Sequence, residues 1–288
     1  MATGAYPTGT MTNTTLANII PSVWTDKINN FFRSELVTAK FFTDLSSELS
    51  GGGRYFQIPN VSEMTAHAKA NATAVTVNNL TDSNISLEVN TWYETSFSIE
   101  KREAKQVKQS YGIQEMYARN AAHTTAKVLE TAIIDLFAGF SQIVGASNAA
   151  VADSDIRRAI QYLDEAEAPA SDRVFFFDPA TAWNDVMAID RFTLVDNTPQ
   201  GDPVGKGVFG MLYGIPVYIN QNIRTAGLSA GSPKNALAHK DAIVHAEGFI
   251  DVDTNYIPQY LSWLTTADIM FGVIENRDTS GVWIKAAS

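Results

Sequence analysis

The stretch Ile85-Ser86-Leu87-Glu88-Val89-Asn90-Thr91-Trp92-Tyr93-Glu94-Thr95-Ser96-Phe97-Ser98-Ile99 alternates along its whole length. Ile85, Leu87, Val89, Thr91, Tyr93, Thr95, Phe97 and Ile99 share one parity, and Ser86, Glu88, Asn90, Trp92, Glu94, Ser96 and Ser98 the other. Successive strand side chains point to opposite faces, so this period of two predicts one continuous β-strand with an apolar and a polar side. At roughly 3.3 Å per residue it would run about 50 Å, against roughly 17–20 Å for an ordinary strand. It is expected to project from any compact domain and to be covered by another molecule.

Immediately afterwards the period changes. Residues 101–140 place Val107, Tyr111, Ala118, Ala122, Thr125, Leu129, Ile133, Leu136 and Phe140 at steps of three and four, the apolar stripe of one long helix with Gly112 as a bend. Read as continuous, that helix spans about 60 Å at 1.5 Å per residue. On the N-terminal side, Arg54-Tyr55-Phe56-Gln57-Ile58-Pro59 reads as a strand that its proline ends or places at an edge, and Gly51-Gly52-Gly53 as a hinge before it. Residues 60–83 are mainly Ala, Thr, Asn, Ser and Val, too small to build a core, and read as an exposed excursion. Residues 1–13 read as an arm. Ile20-Pro21-Ser22-Val23-Trp24 opens a helix that continues through Ile28 and Phe31 to about Ser34.

Past residue 140 the pattern alternates between strand and helix. Residues 145–152 form a linker, and Asp153 or Ser154 caps a helix through Ile156, Ile160 and Leu163 that Pro169 ends. Val174-Phe175-Phe176-Phe177 reads as a fully buried strand. Asp178-Pro179 starts a helix with Trp183, Val186 and Met187 on its apolar face. Residues 192–207 and 221–235 read as loops, 211–219 as one strand and 236–246 as a return to the sheet. Residues 269–274 and 282–284 read as a closing hairpin across a polar turn. The class is therefore α+β, with an α/β pattern inside the C-terminal half.

Composition narrows the function. Hydrophobic residues make up 45% and charged residues 18%, which suits an ordered globular chain. The absence of cysteine excludes disulfides, thiolate metal sites and cysteine nucleophiles. A net charge of −10, from 31 acidic and 21 basic residues, speaks against a dedicated nucleic-acid binder and for solubility at high concentration. Neither a basic start leading into an apolar run nor about 18 consecutive apolar residues occurs, so no membrane association and synthesis in the cytoplasm are expected. Without a secretory route, the sequons at Asn13, Asn71, Asn79 and Asn84 carry no meaning.

No persuasive catalytic, cofactor-binding or metal site emerges. Gly205-Lys206-Gly207-Val208-Phe209-Gly210 matches G-x-G-x-x-G, but a loop precedes it and a strand follows, where dinucleotide binding needs a strand and then a helix N-terminus. Gly51 to Gly53 lacks the Lys-Ser/Thr and helix of a phosphate loop. His239 and His245 would share one face of a single strand, near Asp241 or Glu247, without a third convergent ligand; neither His67, in the polar excursion, nor His123, on the long helix, sits in a metal-ligand spacing. Asp251-Val252-Asp253 lacks the glycine and closing glutamate of a calcium loop and reads as a solvated turn. Asp164, Glu165 and Glu167 read as solvated carboxylates on a helix's outer face.

The order of these elements resembles the tailed-bacteriophage major capsid protein family, the Hong Kong phage type of fold, over nearly the whole chain. Five segments look like that family's: Ile20-Pro21-Ser22-Val23-Trp24 at the first helix, 53–59 with 85–100 as the sides of an extended loop, 101–140 as the spine helix, 207–217 as the axial-domain strand turn, and His239-Lys240-Asp241-Ala242-Ile243 as the return to the peripheral domain. The resemblance implies an N-terminal arm and first helix over 1–50 and an extended hairpin loop over 51–100. The spine helix of a peripheral domain then takes 101–145, an α/β axial domain 146–245, and the peripheral domain's closing strands 246–288. It implies self-assembly into hexamers and pentamers of an icosahedral phage head around double-stranded DNA, hence a place in the virion capsid after assembly in the host cytoplasm.

Expected partners are further copies of the chain, a portal protein, a possible decoration protein and packaged DNA, held non-specifically on the inner face. That face would use the basic bias of Lys101, Arg102, Lys105, Lys108, Arg119 and Lys127. The short arm leaves no room for a fused scaffolding extension, so a separate scaffolding protein is expected. Some relatives join a loop lysine to a neighbour's asparagine; Lys69 and Asn276 are the residues here for that chemistry, which most members lack. Two other readings stand beside this one: an encapsulin-like bacterial nanocompartment shell, and an α/β enzyme working through residues 150–250.

Overall fold

The computed structural model describes residues 37–51, 54–61, 64–79, 83–100, 113–189 and 208–287. The arm, the first helix, positions 52–53, residues 101–112 and the loop expected over 192–207 lie outside the described residues.

The longest described helix is α2, Ile113–Leu136, after the short α1, Thr38–Phe41. Two sheets are built around α2. One is four-stranded, with β1 (Thr43–Asp44), β10 (Ile243–Ile257), β11 (Ser262–Glu275) and β4 (Thr91–Glu100) in that order. The other has six strands in the order β5 (Gln142–Gly145), β12 (Gly281–Lys285), β9 (Asn235–His239), β6 (Arg173–Phe177), β8 (Ile215–Ile219) and β7 (Val208–Leu212). The remaining described strands, β2 (Tyr55–Asn60) and β3 (Ser83–Glu88), pair with each other and with no other described strand. Helices α3 (Asp153–Glu165), α4 (Pro179–Asn184) and α5 (Asn222–Thr225) complete the described elements of more than three residues, with a 3₁₀ turn at Ser46–Gly51.

Strand β6 shows why the core forms where it does. All five residues are buried, as a strand covered on both faces requires. Phe175 and Phe177 face the cluster of Ile156, Leu163, Val217, Leu237 and Ile284, which places α3 on that side. Val174 and Phe176 face the other way, against Leu129, Ile133, Phe137 and Phe140. Phe176 lies 5.5, 5.9, 5.7 and 6.2 Å from the rings of Phe41, Phe42, Phe137 and Tyr218. The same cluster takes in Ile243, Ile269 and Phe271 of the four-stranded sheet, so the C-terminal half of α2 joins the two sheets through one core. A third cluster, with Leu87, Val89, Val244 and Ala246, holds the base of the β2–β3 pair against the four-stranded sheet.

The structure corrects the sequence reading at several points. The long strand over 85–99 is two strands: pairing passes from β2 to β11 around Val89 and Asn90, although the alternation keeps its phase. Leu87 and Val89 are buried and Thr95, Phe97 and Ile99 half-buried, while Tyr93 is 49% exposed and stacks on Phe271 at 6.2 Å. The helix ends at Leu136, four residues short of Phe140. Residues 211–219 fold back, because Tyr213 (φ 52°) and Gly214 (φ 80°) form a two-residue turn between β7 and β8. Trp183 is 60% exposed rather than on the apolar face of α4. Ala152, not Asp153 or Ser154, occupies the N-cap of α3, where Asp155 accepts its N–H.

The closing hairpin does not form. Asn276 and Arg277 both donate to the Ala242 carbonyl (2.8 and 3.1 Å), turning the chain out of the four-stranded sheet, and β12 then inserts between β5 and β9 in the other. The return over 236–246 likewise divides, with β9 in one sheet and β10 in the other.

Candidate assembly surfaces

The β2–β3 pair starts at a crossing where backbone meets backbone. A Cβ on Gly272 would stand 2.3 Å from the Glu88 carbonyl oxygen, so β11 needs glycine there for the pair to sit down on the sheet. Val89 donates to Arg54 (2.9 Å), and Arg54 pairs with Glu88 at 2.6 Å, which holds the two sides in register. Pro59 is tolerated because β2 has no second neighbour among the described residues.

Beyond Asn60 no regular element forms among the described residues until Ser83. The segment is nevertheless tied to itself: His67 bonds the Asn78 side-chain oxygen (2.8 Å), Asn78 donates to the Thr65 carbonyl (2.9 Å), and Thr73 closes a turn on the Ala70 carbonyl. Lys69 donates to Ala70 and Thr73 within that turn, and Asn276 donates to the Asp241 carbonyl (3.1 Å). Val61, Met64, Val75 and Val77 are each more than 60% exposed. An apolar segment left in water by its own subunit is the signature of a surface that another molecule covers.

The four-stranded sheet has two unlike faces. Helix α2 lies on one, where Ile269 and Phe271 are buried and Phe97 meets Tyr117 at 5.6 Å. On the other face Glu94, Asp268 and Asp251 stand side by side across three strands, with Asp253 two positions further on. None of these four forms an ion pair among the described residues. Arg119 and Lys127 lie on α2, on the opposite side of the sheet.

The histidine pair weighed as a metal site is not a pair. His239 ends β9 in one sheet and His245 lies on β10 in the other, and among the described residues no three His, Cys, Asp or Glu gather as a metal would require. Residues 205–207 of the glycine motif lie outside the described residues; Val208-Phe209-Gly210 belong to β7, which turns into β8 rather than a helix. Asp251 and Asp253 lie inside β10, exposed, not in a turn. Glu165 and Glu167 are exposed as expected, but Asp164 has work: it holds the buried Arg173 guanidinium at 2.7 Å. No helix among the described residues is long and apolar enough to cross a membrane.

Sequence reasoning missed Glu130. It is fully buried on α2, and its carboxylate accepts the N–H groups of Val37, Thr38 and Ala39 (3.1, 2.8 and 2.9 Å) and the Asn220 amide (2.8 Å). One side chain thereby fixes α1, α2 and the end of β8 to one another. The signal was an acid in an apolar column, since Ile134 and Phe137 lie four and seven positions on.

Burial also shifts three groups. It pushes the His245 imidazole below its ordinary 6.5, against the opposing pull of Asp44 and Glu130. It pushes Glu247 and Glu275 above their ordinary 4.5, helped by Asp44 and Asp278 respectively. For His245 the unfolded chain binds protons more readily, so its contribution is full above 6.5 and is lost as pH falls through the depressed value. The glutamates act oppositely: theirs is full below 4.5 and lost as pH rises through their raised values. Comparing urea midpoints of wild type and His245→Asn from pH 7 down to pH 5 isolates the histidine. The wild type should lose more stability over that interval, and parallel curves would show that His245 takes up its proton equally in the folded and the unfolded chain.

The architecture is that of the tailed-phage capsid, the Hong Kong phage type of fold. A solved structure described as Mycobacterium phage Che8 superposes with a TM-score of 0.76 at 20% identity, covering 94% of this chain and 99% of that one. The capsid structure of the cyanophage P-SCSP1u gives 0.72 at 12% identity over 95% and 94%, and the capsid of Ralstonia phage GP4 gives 0.71 at 12% over 93% and 96%. No family model and no curated protein matches the sequence.

Proposed function

We propose that this chain is the major capsid protein of a tailed phage, which assembles as hexamers and pentamers into an icosahedral head around double-stranded DNA. The observation that carries the reading is the near end-to-end coincidence of its fold with capsid structures. The exposed apolar segment beyond β2 supports it, because its own subunit does not cover it. The proposed division is 1–50 for the arm and first helix, 51–100 for the extended loop, 101–145 for the spine helix, 146–245 for the axial domain and 246–288 for the closing strands of the peripheral domain. The role is structural and not enzymatic, with no catalytic, cofactor or metal residue.

Charge favours turning α2 toward the genome, since Arg119 and Lys127 lie on that side of the sheet and the four carboxylates on the other. Assembly in the host cytoplasm would draw on a portal, a separate scaffolding protein and, on some heads, a decoration protein. Electron microscopy of the expressed chain, with and without scaffold from the same genome, tests the reading. Shells, tubes or capsomers are the expected result, and a monodisperse monomer under every condition would refute it.

A further inference from the structure

The face of the four-stranded sheet turned away from α2 is covered only in part among the described residues. At Gly272 and Ile274 the base of the β2–β3 pair lies on it, and Ile274 packs against the cluster of Leu87 and Val89. From Met270 onward the side chains of that face stand in water. Trp92, Met270 and Phe249 form one row across β4, β11 and β10, with Trp92 67% and Phe249 37% exposed. The next row on the same face is Glu94, Asp268 and Asp251, and Asp253 lies beyond it. The Trp92 indole N–H donates to the Asp268 carboxylate at 3.1 Å and ties the two rows together.

This arrangement costs the isolated subunit stability. Like charges placed directly opposite on paired strands destabilise the pairing, because their side chains stand only about 4.5–5.5 Å apart. Glu94, Asp268 and Asp251 are consecutive partners, so the repulsion acts through two strand pairs. No lysine or arginine in the adjoining rows relieves it: those positions hold Trp92, Met270 and Phe249 on one side and Ser96, Thr266 and Asp253 on the other. An exposed indole beside unpaired carboxylates combines the two features that attract an ammonium or guanidinium group.

We infer that this open half of the face docks a separate basic protein. That partner lays an amphipathic segment across the strands, its apolar side on Trp92, Met270 and Phe249 and its lysines or arginines on Glu94, Asp268 and Asp251. The two rows lie roughly 7 Å apart, two residues along the strand, so one segment spans both. Charge selects the occupant. Nucleic acid and anionic lipid would be repelled. A second copy's segment 61–79 offers Lys69 as its only lysine or arginine, together with Glu63, and would bury the carboxylates without neutralising them. The inference rests on the assembly reading only for direction: with α2 toward the genome, the partner arrives from outside the shell.

A short labelled amphipathic helix of lysine and leucine serves as the probe, with its fluorescence anisotropy followed on dissociated subunits and on shells. The triple variant Glu94→Gln, Asp251→Asn, Asp268→Asn should bind it roughly tenfold more weakly, and Trp92→Ala roughly fivefold. A control variant, Glu165→Gln, Glu167→Gln, Asp172→Asn, removes the same charge from exposed positions elsewhere and should change binding less than about twofold. The face variant should also keep an equal or higher urea midpoint, because neutralisation relieves the cross-strand repulsion. Equal weakening in the face and control variants would reduce the binding to general attraction toward an acidic protein and overturn the proposal. Probe bound by subunits but not by shells would overturn it too, since another copy then covers the face. Unchanged binding to Trp92→Ala would remove the apolar half of the claim. A chain that binds the probe through this face yet never forms shells would refute the assembly reading and leave the docking surface standing.

Discussion

Replacing residues 61–82 with an Asn-Gly dipeptide should leave a folded, soluble subunit that no longer forms shells. Asn60 pairs with Ser83 at the open end of β2 and β3, so a two-residue loop of this type closes the ladder in its existing register. What is removed contributes little inside the subunit: Val61, Met64, Val75 and Val77 are all more than 60% exposed, and the polar bonds of 65–78 are made within the segment. The urea midpoint should therefore move by less than the equivalent of about 1 kcal/mol, the range of surface changes. Assembly should fall below detection by sedimentation and microscopy, because the deleted side chains are those that a neighbour would cover. Hydrogen exchange in the intact protein gives a second view. A two-stranded pair is marginal in water, so amides of β2 and β3 should exchange quickly in dissociated subunits and slowly in shells. Equal protection in both states, or normal shells from the shortened chain, would make the segment an ornament.

Glu130→Ala should destabilise the subunit by about 3–5 kcal/mol, a large share of the roughly 5–15 kcal/mol of a typical domain. Among the described residues the buried carboxylate has no cation as a hydrogen-bond partner; four N–H donors solvate it, three from consecutive backbone amides at the start of α1. Truncation leaves those donors without their acceptor, the Thr38 N–H and the Asn220 amide fully buried and the other two half-buried, and each buried unsatisfied donor costs about 1–3 kcal/mol, less whatever relaxation recovers. Glu130→Gln keeps the shape but turns an NH₂ group toward donors, so its loss should be smaller, about 2 kcal/mol. Urea denaturation at pH 7 measures both. A loss below about 1 kcal/mol for the alanine variant would show that residues 37–39 find other acceptors.

The sequence legibly carried those features that a single strand or helix expresses by itself. The alternation over 85–99 told which side chains face inward, and the stripe from Thr125 through Leu129 to Ile133 located the buried side of α2. Strand β6 and the Asp178 cap of α4 were readable because burial on both faces and a capping side chain leave local marks. Hydrogen-bond partners leave no such mark. Period two is the same whether the neighbour is β2 or β11, which is why one expected strand proved to be two. The β10–β11 hairpin escaped notice because its exposed residues in 247–255 show no apolar rhythm and buried positions on β11 include Thr265 and Ala267.

The candidate surfaces divide in the same way. The small-residue segment after β2 was legible as exposed, since such side chains cannot build a core. The Glu130 junction and the acidic row of Glu94, Asp268 and Asp251 became visible only with the chain folded. Each depends on groups brought together from distant positions: 37–39 with 130 and 220, or 94 with 251 and 268. By itself the sequence determined which residues seek water and which avoid it, through periodicity and composition. The tertiary structure decided which strands share a sheet and which buried polar groups meet, because those choices turn on contacts between segments that no local pattern records.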